Sequence, residues 1–484
     1  MGKQNFTKPS PLLSSIPLLV LISLLFVSIR TFGTDAIAGS SQIVLLTGTA
    51  VTAMLAMVCC KVKWQTIEDT ICNNIRGVST AIIILLLIGA LSGSWMVSGI
   101  VPTMIYYGMK LIDPNFFLVT SCVICALVSV MTGSSWTTIA TIGVALMGIG
   151  KAQGFSEGWI AGAIISGAYF GDKVSPLSDT TVLASSVTDT PLFSHIKYLM
   201  YTTIPSILIA LSVFLVVGFA HPASSANQIT ELTQSLDVAF HISPWLLIVP
   251  SITAFLILKK VPSLITLFLS ALIAGICALW VQPELLNAIA GESSSHAQAM
   301  YKGLFITYYG STGIETGNEI LNELVVTRGM GGMMNTIWLV VCAMCFGGAM
   351  QASGMLESLT STLKYFMRSG VGLVSSTAVS GALLNLVVAD QYVAIVLTGN
   401  MFKDIYRKKG YDSRVLSRTT EDSVTVTSVL VPWNTCGMAQ STILNVPTLT
   451  YLPYCFFNLI SPLMSVFIMM IGYKIKRIAV KEAE

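Results

Sequence analysis

The chain has 484 residues, of which 54% are hydrophobic and only 10% charged, whereas a soluble domain carries about a quarter charged residues. That balance excludes a large soluble body and makes the lipid bilayer the main surroundings of the chain. The net charge of +3 is small and the basic residues sit in short loops between apolar runs, so no nucleic-acid partner is expected.

A hydrocarbon core about 30 Å thick takes roughly 20 apolar residues per helical crossing. Crossings are predicted over 11–29, 36–60, 78–101, 198–220, 243–258, 262–281, 335–353 and 448–473. The first run ends at Arg30 and has no A-x-A-like cleavage site, which marks a retained helix and not a signal peptide. The ten cysteines lie mostly within apolar runs, including Cys122 with Cys125 and Cys342 with Cys345, and read as small core residues. The polar loops 221–242 and 283–334 contain no cysteine, so no disulfide framework is expected. His195, His221, His241 and His296 are dispersed, without metal-ligand spacing.

Basic residues set the topology. Lys3 and Lys8, the loop with Lys61, Lys63 and Arg76, the pair Lys259 and Lys260, Lys364 with Arg368, the run from Lys403 through Arg407, Lys408, Lys409, Arg414 and Arg418, and the tail Lys474, Lys476, Arg477 and Lys481 are all assigned to the cytoplasm. The loop 221–242 has no Lys or Arg; 283–334 has Lys302 and Arg328 beside Glu284, Glu292, Glu315, Glu319 and Glu323. Both belong outside. The expected location is the inner cell membrane, with both termini cytoplasmic.

Threading the chain through these constraints leaves 116–150 with both ends outside and 371–402 with both ends inside. Each is a helical hairpin or re-entrant pair. Segment 158–197 then crosses inward and 411–447 outward, both interrupted by polar residues and proline. The expected fold is an all-α, polytopic membrane protein built from two inverted-topology repeats, 1–235 and 236–484, with helical hairpins and broken transmembrane helices. A faint echo accompanies this: Gly171-Asp172 against Glu421-Asp422, Asp179-Thr180 against Asn434-Thr435, and Thr132–Thr138 against Ala389–Tyr392.

Four polar islands interrupt the apolar sequence: TGSSWTT from Thr132, GDKVSPLSDTT from Gly171, ADQY from Ala389, and TTEDSVTVTSVLVPWNT from Thr419. An ionised carboxylate at membrane depth costs on the order of 2.5–3.5 kcal/mol on insertion scales, so such an acid is paired, in a wet cavity, or functional. Asp172, Asp179, Asp390, Glu421 and Asp422 therefore stand out. The structural alternative pairs Asp172 with its neighbour Lys173, or puts Glu421 and Asp422 at the cytoplasmic mouth near Arg418. For Ser134, Ser135, Thr137, Thr138, Thr180 and Thr181 it is hydrogen bonding between helices. Pro176 and Pro432 free backbone carbonyls that need other partners. Together with hydroxyl and carboxylate oxygens these suit a hard cation such as Na⁺, whereas half-helix N-termini facing the same point suit an anion. Desolvation favours the neutral form of an acid and bound Na⁺ the ionised form, so proton and Na⁺ compete for one carboxylate. Alternating access of such a site gives antiport.

The four islands, with ADQYVAIVLTGNMFK and LSRTTEDSVTVTSVLVPWNTCG, resemble the hallmark segments of the NhaC family of sodium/proton antiporters, within the ion transporter superfamily. The resemblance spans essentially the whole chain. It implies two inverted repeats meeting near midmembrane, Na⁺/H⁺ exchange, no cofactor beyond the transported Na⁺ and H⁺, and no enzymatic activity. By motif position it implicates Asp172, Ser175, Asp179, Thr180, Asp390, Glu421, Asp422, Asn434 and Thr435. Asp172 and Asp179 are the leading Na⁺ and proton carriers, with Asp390, Asn434, Ser175, Thr180 and Thr435 around them. Ser134, Ser135, Thr137, Gln391, Glu421, Asp422 and Trp433 are candidates for substrate or pathway contacts. The family includes malate/lactate-like exchangers, so a small organic acid or amino acid is the alternative substrate, and a homodimer is compatible with the family. The chain departs from the pattern at Leu397-Thr398-Gly399-Asn400, where a proline and an arginine are common, and at Val429-Leu430.

Two rival classes fit less well. An intramembrane aspartyl protease needs two carboxylates close enough to share a proton, a poor match to an acid followed at once by Lys173. A channel has the polar lining but no coupling. The topology yields a direct prediction: single cysteines at Gly154 and Gly410, in a background cleared of reactive native thiols, label from opposite sides of the membrane. Labelling from one side would sink the inverted arrangement.

Overall fold

In the computed structural model, the described residues are 8–32, 39–220, 226–259, 261–291, 295–314, 322, 325, 327–361 and 367–478. Lys3, Lys260, Lys364, Lys481, His221, Glu292, Glu315, Glu319 and Glu323 lie outside them. Among the described residues the regular structure is helical, and eight helices are long and apolar enough to cross a membrane, or up to ten if each of two bent pairs counts as one span. The predicted crossings 243–258 and 448–473 fall on these bent pairs. The first turns by 88° between Thr233–Ala239 and Pro244–Ile257, the second by 55° between Thr448–Tyr454 and Phe456–Met470. Pro244 at the start of a helical turn and Pro453 in the 3-10 turn just before the other bend remove backbone donors there.

The two hairpins form where expected. In the first, Phe117–Thr132 ends at Gly133, and the chain returns through Ser135–Thr138, a π-helical Ile139–Gly143 and Val144–Ala152. Gly133 is required here twice over. Its φ is +67°, and a Cβ would lie 2.6 Å from the Leu177 carbonyl carbon. In the second hairpin, Gly370–Val388 ends at Ala389, which adopts the same left-handed conformation at φ +60°, and Gln391–Lys408 returns.

Each hairpin is followed by a broken helix. Glu157–Val174 stops at Ser175, unwinds through Pro176 and resumes as Asp179–Val187. Ser413–Thr420 continues through a π-helical Glu421–Thr425 and a 3-10 turn Ser428–Leu430, unwinds through Pro432 and resumes as Thr435–Leu444. Gly133 to Ala389 and Pro176 to Pro432 are the same distance along the chain. That register corrects the echo read from sequence: Ser178 matches Asn434, so Asp179 matches Thr435, and Asp172 matches Ser428 rather than Asp422. The proline break and the capping residue after it fix the alignment, and the acids do not.

The 29-residue helix Leu192–Ala220, about 40 Å long at 1.5 Å per residue, measures the hairpins' placement. Near its start, the Tyr198 hydroxyl donates to the Lys474 carbonyl at 3.1 Å, and the Lys476 carbonyl accepts from Asp412 N. Lys409, at the open end of the second hairpin, donates to the Arg368 carbonyl. Lys403 pairs with Asp189, and Thr190 donates to Ser413 at 3.0 Å. Much of the predicted cytoplasmic charge therefore gathers at this end. There Asp412 caps the helix Ser413–Thr420, and hydrogen bonding from Arg414 holds its carboxyl below the usual carboxylate range. At the far end of the long helix, Gly218 packs on the Asn115 carbonyl, beside the open end of the first hairpin, where Gln153 donates to the Ile112 carbonyl at 2.9 Å. The hairpins thus open toward opposite ends of one helix.

Small residues allow the closest helix approach. Gly167 and Gly171, four apart on Glu157–Val174, lie on Phe117–Thr132, where a Cβ at Gly167 would sit 2.0 Å from the Cys122 carbonyl oxygen and one at Gly171 2.4 Å from that of Ala126. In lipid, helices associate through such close packing because apolar burial alone gives no advantage over lipid tails. Gly167→Ala is expected to destabilise the protein by about 1–3 kcal/mol, read as a lower melting temperature in detergent. Gly77→Ala, whose Cβ would meet nothing within 4 Å, should leave it nearly unchanged. Equal melting of the two variants would show that the Gly167 contact does not hold the hairpin in place.

Candidate functional site

Each hairpin tip meets the break of the helix that follows it. At the first junction, Asp172 is 6% exposed, one turn before the break, and its Oδ2 accepts from the backbone N of Ser135 at 3.1 Å and the Ser135 hydroxyl at 2.6 Å. Ser134 caps the returning arm by accepting from Thr137 N, and the Thr137 hydroxyl also donates to Ser134. Ser175 donates to the Val130 carbonyl at 2.8 Å, joining the unwound stretch to the hairpin. Ser178 caps the resumed helix and bonds Thr180. Thr181 donates to the Lys173 carbonyl at 3.1 Å, so it takes up an acceptor that the break leaves free. Asp179 is exposed, at the first position of the resumed helix, where a carboxylate complements the helix dipole. It lies within electrostatic reach of Asp172.

At the second junction the acid is on the hairpin instead. Asp390 is 2% exposed; its Oδ1 accepts from Val393 N at 3.0 Å and its Oδ2 from the Thr435 hydroxyl at 3.1 Å. Thr435 N donates to the Ala389 carbonyl at 2.8 Å. Asn434 caps its own helix at Cys436 N and donates to the Asn385 carbonyl at 3.2 Å. The Trp433 indole donates to the Leu386 carbonyl at 2.7 Å, and Gln391 accepts from Ser428 at 3.1 Å.

The two junctions lock into each other. Asp179–Val187 packs on the returning arm Gln391–Lys408, while Thr435–Leu444 packs on the π-helical Ile139–Gly143. Tyr392, 39% exposed, lies within electrostatic reach of Asp172, Asp179 and Asp390. Asp172, Asp179, Ser134, Ser135, Thr137, Ser175 and Thr180 therefore share one junction, and Asp390, Gln391, Trp433, Asn434 and Thr435 the other, with Tyr392 between them.

Glu421 and Asp422 belong to a third group. Lys173 is fully buried and pairs with Asp422, not with its neighbour Asp172; its Nζ also donates to Ser461 at 2.8 Å. Asp422 further accepts from Thr202 at 3.1 Å and from Ser461 at 3.2 Å. The Arg418 guanidinium, fully buried as well, lies over the Tyr198 ring at 4.9 Å, with Nε 3.9 Å from Asp422. Glu421 and Asp422 are 0% exposed, so neither stands at an open mouth. Sequence reasoning missed Thr202 and Ser461 and gave no role to Tyr392 or His195. His195 is fully buried, with its Nδ1 bonded to the Ser417 hydroxyl. The signal for Tyr392 was its place at the tip island; Thr202, Ser461 and His195 had none, because their partners lie far along the chain.

Chemically, the first junction offers one buried carboxylate among rotatable hydroxyls and backbone acceptors. Among the described residues no group of three His, Cys, Asp or Glu converges to hold a metal ion. A cation at this junction would be held by a single carboxylate with neutral oxygens, a set that suits weak, reversible binding of a monovalent ion.

The profile of the Na⁺/H⁺ antiporter family matches residues 167–473, which include both unwound stretches and the second hairpin. The Na⁺/H⁺ antiporter NhaC of Alkalihalophilus pseudofirmus is 36% identical over 406 residues, covering 84% of this chain and 85% of that protein. The malate-2H⁺/Na⁺-lactate antiporter of Bacillus subtilis is 35% identical over 411 residues, 84% of this chain and 85% of its own length. The arginine/ornithine antiporter ArcD of Halobacterium salinarum is 33% identical over 464 residues, covering 95% and 91%. On the extent of the profile match and the near full-length identity, this chain is a member of the Na⁺/H⁺ antiporter family.

Proposed function

We propose that the protein is a secondary antiporter that exchanges Na⁺ for H⁺ across the inner cell membrane, with Asp172 as the shared site. The observation that carries this reading is the isolation of Asp172. It is buried at a helix break, bonded to Ser135, and free of the adjacent lysine, whose charge is committed to Asp422. A carboxylate in that setting needs either a proton or a cation to offset its burial. Hydroxyls beside it serve both states, since a hydroxyl can donate to a carboxylate or turn a lone pair toward a cation. The two occupants then exclude each other, and access from alternate sides makes the exclusion an exchange.

Asp179, exposed and close by, gives an ion approaching Asp172 a second negative charge. The matching hairpins and breaks, opening toward opposite ends of the long helix, support reading the two halves as inverted repeats, with the basic end that carries Lys403, Arg414 and Lys474 in the cytoplasm. A small organic acid or amino acid exchanged together with Na⁺ is the second reading. It is favoured by the names of the relatives above and by Tyr392, which offers a half-exposed aromatic face between the junctions.

In liposomes, imposing a Na⁺ gradient on the purified protein should drive protons the opposite way. Asp172→Asn keeps the shape but cannot ionise, and should reduce this movement by at least about tenfold while the protein still inserts and purifies normally. Because a proton competes with Na⁺ for one carboxylate, transport should weaken in acid, and the apparent Na⁺ affinity should rise by up to about tenfold per pH unit as the medium is made more alkaline. Unchanged Na⁺-driven proton movement in the variant would place the coupling elsewhere. Strict dependence on added malate, lactate, arginine or ornithine would favour the second reading.

A further inference from the structure

The helix that leads into the second break carries polar residues at every fourth position: Ser413, Ser417, Glu421 and Thr425. That spacing lines one helix face, running from the end that carries Lys403 and Arg414 toward the first junction. Ser413, half-buried, accepts from Thr190 at 3.0 Å. One turn deeper, Ser417 bonds the buried His195. Glu421 follows, fully buried at the start of a π-helical stretch, a geometry that recurs at functional sites.

Among the described residues, neither carboxyl oxygen of Glu421 has a hydrogen-bond partner at bonding geometry; the Thr425 hydroxyl only approaches it. Asp172 and Lys173 of the first broken helix lie within electrostatic reach, as does Asp422 of its own turn. Lys173 is bound to Asp422 and Ser461, and Arg418 lies over Tyr198. Of the other elements packed on this stretch, the second hairpin brings Asp390 at its tip and Lys403, Asp404, Arg407 and Lys408 at its far end, the helix Asp179–Val187 brings Asp179, and Phe456–Met470 brings no charged side chain. His195, on the long helix, is bonded to Ser417 one turn away and lies within electrostatic reach of Lys173. A charged carboxylate without donor or committed cation is far more costly in this setting than the neutral acid. Glu421 is thus a carboxylic acid within electrostatic reach of Asp172, next in sequence to the Asp422 that ties the two helices together through Lys173, and it contributes no ion pair to the fold.

We propose that Glu421 is the proton relay of the exchange, passing protons between Asp172 and the end of the protein that carries Lys403 and Arg414. The proposal rests on the reading of Asp172 as the shared Na⁺ and proton site. When the site is open to that end and Na⁺ leaves through it, the O–H bond of Glu421 breaks and its proton is taken by the Asp172 carboxylate. Glu421 is then reprotonated from the same end along the helix face that Ser417 and Ser413 line. In that state the reverse sequence releases the Asp172 proton when Na⁺ enters, while in the state open to the other side Asp172 exchanges its proton there without Glu421.

The test separates proton movement from Na⁺ movement. Exchange of radiolabelled Na⁺ for unlabelled Na⁺ at equal pH on both sides needs no net proton transfer, whereas Na⁺-driven proton movement does. Glu421→Gln in liposomes should slow Na⁺-driven proton movement by at least about tenfold and leave Na⁺/Na⁺ exchange near the wild-type rate, with Glu421→Asp restoring much of the proton movement. Equal loss of both modes, or loss of neither, would overturn the relay. If Glu421→Gln does not fold, Glu421→Asp carries the test: slowed proton movement with intact Na⁺/Na⁺ exchange supports the relay, and equal slowing of both overturns it. Absence of both modes in the wild-type protein would overturn the Na⁺ reading itself.

Discussion

The architecture depends on one constraint: backbone groups at membrane depth must be satisfied within the protein. Four interruptions, at Gly133, Ser175–Ser178, Ala389 and Val431–Asn434, would each leave donors and acceptors unpaired. They are tolerated because they are brought together in pairs. The Asp172 carboxylate receives the Ser135 N–H, and the Ala389 carbonyl receives the Thr435 N–H. Side chains close what remains: Thr181 on the Lys173 carbonyl, Trp433 on that of Leu386, and Asn385 and Asn458 on those of Val424 and Val426 beside the π-helical stretch. The groups that make the breaks possible are also those that concentrate oxygen atoms at the centre of the molecule. Fold and site are built from the same bonds.

The second organising feature is the direction of two adjacent charges. Successive residues on a helix point about 100° apart, so Asp172 turns to the hairpin tip while Lys173 turns to Asp422 in the other half of the chain. Burying an ion pair about breaks even in stability, whereas removing one partner costs 3–5 kcal/mol. Its effect here is therefore less to stabilise than to specify, because it joins the first broken helix to the turn before the second break. In the proposed exchange it also keeps the lysine from neutralising Asp172, which would remove the competition between proton and cation.

Much of this was legible in the sequence because it is periodic or punctuated. Runs of about 20 apolar residues gave the crossings, basic loops gave the hairpins, and Pro176 and Pro432 gave the breaks. What was not legible depends on contacts distant along the chain. The bonds from Lys173 to Asp422 and from His195 to Ser417 each join residues more than two hundred positions apart, and no local pattern announces them. The register of the two halves was misread for a related reason. Acid residues were matched to acid residues, but the second half carries its acid, Asp390, on the hairpin and its hydroxyl, Thr435, on the broken helix. The first half carries Asp172 on the helix and Ser135 on the hairpin. Geometry repeats while chemistry is exchanged between the partners.

That exchange distinguishes the acids as carriers. Asp390 caps a helix, with one oxygen on a backbone N–H and the other on Thr435, so the fold holds both of its oxygens. Its bonding is that of a fixed structural anion. Asp179 is exposed at the start of the resumed helix, without the burial that sets Asp172 apart. Asp172 lies between these extremes, withdrawn from water yet with its backbone donor and the Ser135 hydroxyl both on one oxygen, Oδ2. In the proposed exchange, this combination makes both occupied forms accessible and the empty charged form costly, which couples one ion's departure to the other's arrival.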